Sequence, residues 1–305
     1  MKLTADNYYS LEADQAFMSC SQYQDFLKCE AAAMAKIWGL YTPPKSEALL
    51  VGNYVHTALE SDEAHEQFCN EHEEDIFKLK LDKVTGEVMR VGKYAPYQKA
   101  DGMIQAFLKD PLIRELILMD GENEVIMTGK LFGMDWKIRL DKYVADKRLI
   151  IDWKTAADLA KTEYNPATSE RESFMEALGY LMRAAIYTEI EKQCATKEDD
   201  ANFVIIAVSK QDPPDKGAYL LNHRQRYDFE LSEVEKHIAQ IARVKRGLMK
   251  PTRCGRCEWC RQTKKLTKIV PYYTLRPGFS DSREEEYDDI FATYMEKAQA
   301  QGAMG

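Results

Sequence analysis

Two short segments of the 305-residue chain place carboxylates and cations at a spacing that suits a small ionic site: Lys137-Ile-Arg139-Leu-Asp141 and Leu149-Ile-Ile-Asp152-Trp-Lys154. If the second is a strand, its two-residue period puts Asp152 and Lys154 on one face and turns Trp153 to the other. Asp141, at the end of a preceding strand, can converge on Asp152 across the hairpin, and two close carboxylates make a cage for a hard divalent ion such as Mg²⁺. Such an ion lowers the pKa of a bound water and neutralises phosphodiester charge, and Lys154 is placed to position the nucleophile. This is the inventory for phosphodiester hydrolysis. Taken alone, D-x-K is a common spacing, and an Asp/Lys pair on an edge strand is its ordinary meaning.

Two further groups add to it. The run Val51-Gly52-Asn-Tyr-Val-His56-Thr-Ala-Leu-Glu60 predicts a helix with His56 and Glu60 at i and i+4, facing one way. A neutral imidazole there could complete a metal site, although a His satisfied by Glu60 or by a backbone carbonyl is the commoner case. Among seven cysteines, Cys20, Cys29, Cys69 and Cys194 are scattered, whereas Cys254, Cys257 and Cys260 form C-x-x-C-x-x-C. The N-terminus has acids where a signal peptide has an apolar stretch, so the triplet reads as a metal or cluster site in a reducing cytoplasm. Its spacing is that of ferredoxin-type iron–sulfur loops. It serves zinc as well, and either needs a fourth ligand.

Composition, with 45% hydrophobic and 30% charged residues, excludes disordered, collagen-like and disulfide-scaffold chains. No run reaches the roughly 18 apolar residues of a membrane span. Lys and Arg number 42 against 50 Asp and Glu, a net charge of −8, which argues against a wholly basic nucleic-acid binder. The charge is uneven, however: residues 241–268 carry ten Lys or Arg and only Glu258 as an acid, and 281–289 carry six acids and only Arg283 as a base. Local sign decides which face meets a polyanion. The basic stretch around the cysteines therefore suits DNA, or simply a solvated helix end.

The elements needed to position these groups follow from periodicity. Helices are predicted over 20–39 and 46–60, separated by Pro43 and Pro44. The charged stretch 62–97, with a turn at Thr85-Gly86, reads as a surface excursion. A meander is predicted from strands at 124–128, 131–143 and 149–154, with a turn at Gly129-Lys130. An amphipathic helix over 173–190, a buried central strand at 203–208 and a helix over 231–249 with an acidic first turn follow. That order predicts an α/β fold, a central mixed sheet flanked by helices. It assigns a single domain to 1–270, including the cysteine cluster, and an extension with an acidic segment to 271–305.

In this order the motifs resemble the PD-(D/E)XK nuclease superfamily, and within it the phage and prophage exonucleases related to RecE (exonuclease VIII). The elements that carry the resemblance are the helix from Gly52 to His56, Glu124, Arg139-Leu-Asp141, Asp152-Trp-Lys154 and the helix with Tyr180, Arg183 and Tyr187, over roughly residues 19–209. The resemblance implies a restriction-endonuclease-like core in which His56, Asp141 and Asp152 hold Mg²⁺ or Mn²⁺, Lys154 orients the attacking water, and Glu124 is an accessory acid. Tyr187 would contact DNA or support the site, and Arg139 and Arg183 would meet the DNA. Relatives usually carry Gln where this chain has Arg183, which suits a charge-assisted bond to a phosphate. They often carry Glu where Ser209-Lys210 stands.

In related helicase-linked and CRISPR-associated nucleases, three late cysteines join an early one to hold a [4Fe–4S] cluster. Cys29 sits at the corresponding place, with Cys20 the other candidate, and the late spacing here is tighter than C-x2-C-x5-C. The activity implied is that of a Mg²⁺-dependent exodeoxyribonuclease digesting linear duplex DNA, 5′ to 3′, for phage-type recombination in a bacterial host cytoplasm. A homo-oligomeric ring and a single-strand annealing protein (RecT-like) as partner are also implied. The acidic stretch 283–289, followed by Ile290, Phe291 and Tyr294, suits docking to a basic partner. Two rival readings are a nuclease of the iron–sulfur type, which without a G-x-x-x-x-G-K-[ST] motif would be a separate subunit, and a non-catalytic metal-cluster DNA-binding module.

Overall fold

In the computed structural model, which describes residues 1–84, 86–165, 169–266 and 269–272, serines start three of the four N-terminal helices. Ser10, Ser19 and Ser46 cap α1 (Leu11–Ala16), α2 (Cys20–Lys28) and α4 (Glu47–Glu60), each side chain accepting a backbone N–H of the first turn. The single helix expected over 20–39 is two, because Cys29 is extended (φ −168°, ψ 104°) and ends α2 as it begins α3 (Glu30–Ile37). The break is held from outside: Glu30 accepts from the Thr252 N–H (2.7 Å) and hydroxyl (2.8 Å), and Ala31 N–H donates to the Thr252 carbonyl.

The charged stretch 62–97 is more than a surface excursion. It folds as α5 (Asp62–Glu71), α6 (Glu73–Ile76), the hairpin β1 (Phe77–Leu81) and β2 (Val88–Lys93), and the start of α7 (Ala95–Lys109), with α8 (Pro111–Leu118) following. Phe68, Ile76 and Tyr97 are buried with Tyr54, Val55 and Trp153, so a few well-spaced apolar residues outweigh the charged majority. Thr85, and with it part of the expected turn, lies outside the described residues.

The central sheet contains β3 (Glu122–Leu131), β4 (Met134–Val144) and β5 (Leu149–Ala156). A small hairpin, β6 (Thr162–Asn165) and β7 (Glu170–Ser173), and helices α9 (Phe174–Ala177) and α10 (Tyr180–Ala195) lead to β8 (Asn202–Ser209) and β9 (Lys216–Leu221). The strand order is β3-β4-β5-β8-β9, antiparallel except for β5 with β8. That parallel pair needs a crossover, which α10 supplies. Helix α11 (Arg224–Lys245) and the short α12 (Glu258–Gln262) complete the elements. Apolar residues cover both sheet faces: Ile150, Phe203 and Ile205 pack with α2, α10 and α11, and Ile151, Ile206 and Val208 with α4 and α7. This is the mixed sheet flanked by helices that the element order predicts.

Several expected boundaries move. Gly129-Lys130 is not a turn but part of β3, and the chain reverses at Phe132-Gly133, both at positive φ. Gly129 is required for closeness, since a Cβ there would lie 2.7 Å from Gln193 Oε1, whose amide brackets Lys130 by accepting its N–H and donating to its carbonyl. The helix expected over 173–190 breaks at Gly179 (φ 71°), after a Ser173/Glu176 capping box starts α9. Helix α11 begins at Arg224, capped by His223, with no acid in its first turn. Strand β9, at the edge of the sheet beside β8, has no counterpart among the elements predicted from periodicity.

The chain divides into two units, Met1–Cys260 and Arg261–Gly305. The acidic segment 281–289 and Ile290, Phe291 and Tyr294 lie outside the described residues. Among the described residues no helix is long and apolar enough to cross a membrane.

One ion pair anchors the crossover. Glu191 of α10 is fully buried and bound by Arg148 through Nε (3.0 Å) and Nη2 (2.6 Å), and by the Tyr143 hydroxyl (2.6 Å). Arg148→Met strands a buried carboxylate, and breaking a buried pair in this way costs about 3 kcal/mol or more. Urea unfolding of the variant is expected to show a lower midpoint with an unchanged m-value.

Candidate active site

The site forms where β4 and β5 part. Their ladder pairs only 142–144 with 149–151. Beyond it, Asp141 Oδ2 takes the place of a strand carbonyl and accepts the Trp153 N–H at 2.9 Å. The gap admits side chains from both strands. Lys154 Nζ enters it, 3.6 Å from Asp141 Oδ2 and in tight contact with Asp152 Oδ2.

Glu124, on β3, completes one side. Its φ of 56° is a strained, left-handed value for a non-glycine residue and a frequent feature of functional positions. Glu124 Oε1 lies 3.0 Å from His56 Nε2 of α4, and Oε2 lies 2.6 Å from Arg139 Nε. Ligand atoms of His56, Glu124 and Asp141 all fall within 4.8 Å of one another. His56 Nε2, both Glu124 oxygens and Asp152 Oδ2 are buried without a well-aligned hydrogen bond, despite the short ion-pair distances. Nitrogen and carboxylate oxygens left in this state fit a divalent cation.

Asp152 stands apart from that trio, held by Lys154, so the structure groups Glu124 rather than Asp152 with His56 and Asp141. Glu60 shares the His56 side of α4 but makes no ion pair with it among the described residues. Burial and the Glu124 charge hold its carboxyl above the usual range.

The charge states follow from the same neighbours. Burial raises Asp141, but Lys154, His56 and the Trp153 N–H outweigh it, and its pKa lies below the ordinary value. Burial and the nearby Asp141 hold Asp152 above the ordinary value in spite of Lys154. Burial opposes the Lys154 charge and the two aspartates restore it, so its pKa is raised. His56 is raised as well: burial opposes protonation, and Asp141 and Glu124 outweigh burial.

The cleft over these groups has a volume of about 500 Å³ and is walled by α2, α3, α4 and α10. Arg183 and Tyr187 line it, with Arg183 Nη1 donating to the Tyr187 hydroxyl at 3.4 Å. Arg183 pairs with no carboxylate among the described residues, and its pKa is raised: burial disfavours the charge, and Tyr187 and Asp152 favour it more. Arg139, in contrast, is engaged by Glu124 and by the rings of Tyr8 and Tyr9. Tyr8, Tyr9, Lys36 and Lys137 also line the cleft. Tyr8 and Tyr9 were not marked by their sequence context, since the segment before α1 has no periodicity to place it over the sheet.

A second cluster lies in the same unit. Cys29, at the α2/α3 break, meets Cys254, Cys257 and Cys260, all four sulfurs within 4.8 Å of one another. Cys29 and Cys260 sulfurs are 3.7 Å apart, and Cys254 and Cys260 sulfurs 4.0 Å. Backbone N–H groups of Arg256 and Cys257 bring the Cys254 thiol down to about 6. Cys20 lines the active-site cleft instead. The four-thiol set suits a metal.

Splayed strands with Asp141, Asp152 and Lys154 at the fork, beneath a helix bearing His56, define the PD-(D/E)XK nuclease fold. The chain belongs to the family described as "PDDEXK-like domain of unknown function (DUF3799)", whose model matches residues 19–263. A crystal structure from Eubacterium rectale, described as a "putative exonuclease", is similar at 32% identity and a TM-score of 0.80, over 92% of this chain and 100% of its own. The structure of SSO0001 aligns with a TM-score of 0.28 and 13% identity over 79% of this chain and 91% of its own, too little to bear on the fold. No curated protein matches the chain.

Proposed function

We propose that the protein is a divalent-metal-dependent exodeoxyribonuclease acting on the ends of linear duplex DNA. The observation that carries this reading is the fork itself: Lys154 lies between Asp141 and Asp152, beside the trio of His56, Glu124 and Asp141, in which His56 Nε2 and both Glu124 oxygens are enclosed without a well-aligned hydrogen bond. Mg²⁺ or Mn²⁺ held by that trio, with Asp152 adjoining, would supply charge neutralisation at the phosphodiester and a nucleophilic water at neutral pH. The two aspartates beside Lys154 favour its charged form. It acts as a fixed cation that orients the water and stabilises charge developing on the phosphate. Arg183, without a carboxylate of its own, offers its guanidinium to a phosphate oxygen, and Tyr187 holds it in place.

The exonuclease reading draws support from the similar Eubacterium rectale protein and from the motif resemblance. The resemblance alone supports 5′ to 3′ polarity, a homo-oligomeric ring, a single-strand annealing protein as partner, and a phage role in a bacterial cytoplasm. The test compares a linear duplex with the same DNA as a covalently closed circle, in Mg²⁺ and in EDTA. Loss of the linear form only, and only in Mg²⁺, is the expected result. Cutting of the circle would replace the reading with an endonuclease, and no cutting of either would favour a DNA-binding module.

A second reading concerns the cysteines. The resemblance supports [4Fe–4S], whose four thiolates cap four different irons. Two sulfur pairs at 3.7 and 4.0 Å, within a set whose members all lie within 4.8 Å of one another, instead come near the edge, about 3.8 Å, of a tetrahedron with Zn–S bonds of about 2.3 Å. On that spacing zinc is the better fit. Metal analysis is expected to find one zinc per chain in colourless protein, and a brown protein absorbing near ~400 nm would establish the cluster.

A further inference from the structure

At the lip of the active-site cleft one aromatic ring is both exposed and held in place. Tyr9 lines the cleft with His56, Arg139 and Asp141, yet 67% of its surface is open to solvent. Beneath it lies the Arg139 guanidinium, with Cζ 4.9 Å from the ring centroid, and beside it lies Tyr8, the two rings nearly perpendicular (89°) with centroids 5.0 Å apart. The Tyr9 hydroxyl makes no hydrogen bond among the described residues.

The backbone that carries the ring is fixed at several points. Lys137 Nζ donates to the Tyr8 carbonyl and to Asp14 Oδ1 (2.7 Å). Met18 bridges β4, its N–H donating to the Asp135 carbonyl and its own carbonyl accepting from Lys137 N–H, each at 2.8 Å. Leu11 closes on Gly39, where an added Cβ would come within 2.8 Å of Leu11 Cδ1. The segment is therefore no loose tail.

An exposed aromatic by itself means little. Here the charge of Arg139 is already matched by Glu124 at 2.6 Å, so the guanidinium serves the ring as a backing plane more than it serves a phosphate. A flat ring, backed by a guanidinium, largely open to solvent and adjoining the hydrolytic fork, has the form of a stacking platform for a nucleobase. The same cleft is lined by Arg183, which pairs with no carboxylate among the described residues and suits a phosphate beside that base, whereas Lys36 is paired with Asp25 at 2.7 Å.

We propose that Tyr9 stacks on the terminal base next to the scissile phosphate. Internal base pairs have both faces covered by their neighbours, whereas the base at a DNA end offers one face to the ring. This inference rests on the nuclease reading above and adds a base contact to it.

The test uses duplexes whose reacting terminal nucleotide carries either a base or an abasic sugar. Wild-type protein is expected to lose about tenfold to a hundredfold in kcat/KM on the abasic end, mostly through KM. Tyr9→Ala is expected to show that loss on the intact end and none further on the abasic one, with Tyr9→Phe restoring wild-type behaviour. Equal kinetics for Tyr9→Ala and wild type on intact ends would overturn the proposal, as would an undiminished abasic penalty in Tyr9→Ala.

A second measurement needs no cleavage: binding of a single-stranded oligonucleotide with a terminal 2-aminopurine in Ca²⁺. Quenching in wild type and Tyr9→Phe but not in Tyr9→Ala supports the platform, and equal quenching in all three refutes it. A wild-type protein that cleaves no DNA end refutes the nuclease reading, and the fluorescence still decides whether Tyr9 stacks.

Discussion

Asp141→Asn will lower DNA cleavage by roughly a thousandfold or more, with little change in stability. The carboxylate does two things at the fork: its charge serves the site with His56 and Glu124, and its Oδ2 accepts the Trp153 N–H at 2.9 Å where the ladder has ended. An asparagine amide oxygen can still accept that hydrogen bond, so the strands stay in place while the charge is lost. Activity and stability are thereby separated. Lys154→Ala is a less clean probe, because it also leaves Asp152 buried without its cation. Single-turnover cleavage and thermal unfolding, run on the same preparations of Asp141→Asn, check both halves of this expectation. Activity within tenfold of wild type would remove Asp141 from the chemistry.

Cys260→Ser will release the metal of the second site and lower the melting temperature by about 6 °C or more, given a loss of about 3 kcal/mol spread over a unit of this size. Cys260 is buried and its sulfur lies 3.7 Å from that of Cys29 and 4.0 Å from that of Cys254, so no other described thiol can take its place. Cys29 sits at the hinge between α2 and α3, both of which wall the cleft. Losing the metal is therefore expected to weaken DNA cleavage as well as stability, through the position of those helices. Metal content and calorimetry on Cys260→Ser test the first claim. A variant that keeps full metal and an unchanged melting temperature would show that the four thiols do not act as one site.

The residues of the fork were legible because each motif is local. The period of a strand fixes Asp152 and Lys154 to one face, and i, i+4 spacing sets His56 on a definite side of α4. What could not be read depends on contacts distant in sequence. Glu124 joins His56 because β3 adopts a left-handed residue there, and nothing in Glu-Val-Ile-Met announces it. Cys29 breaks a helix whose periodicity runs through it, and the break is sustained by Thr252, more than two hundred residues away. Tyr9 reaches the cleft only because Lys137 and Trp136 anchor the segment that carries it. The charged stretch 62–97 hides its few core residues among lysines and glutamates, and Tyr54 and Trp153 across the fold complete the core they enter.

Divalent-cation binding at the fork is what the proposed chemistry requires first. Mn²⁺ titration followed by electron paramagnetic resonance, on wild type, Asp141→Asn and Glu124→Gln, isolates that claim from DNA, polarity and partners. Saturable binding in wild type that weakens by at least tenfold in both variants is the predicted result. Binding that is absent in wild type, or unchanged when either carboxylate is neutralised, would contradict it.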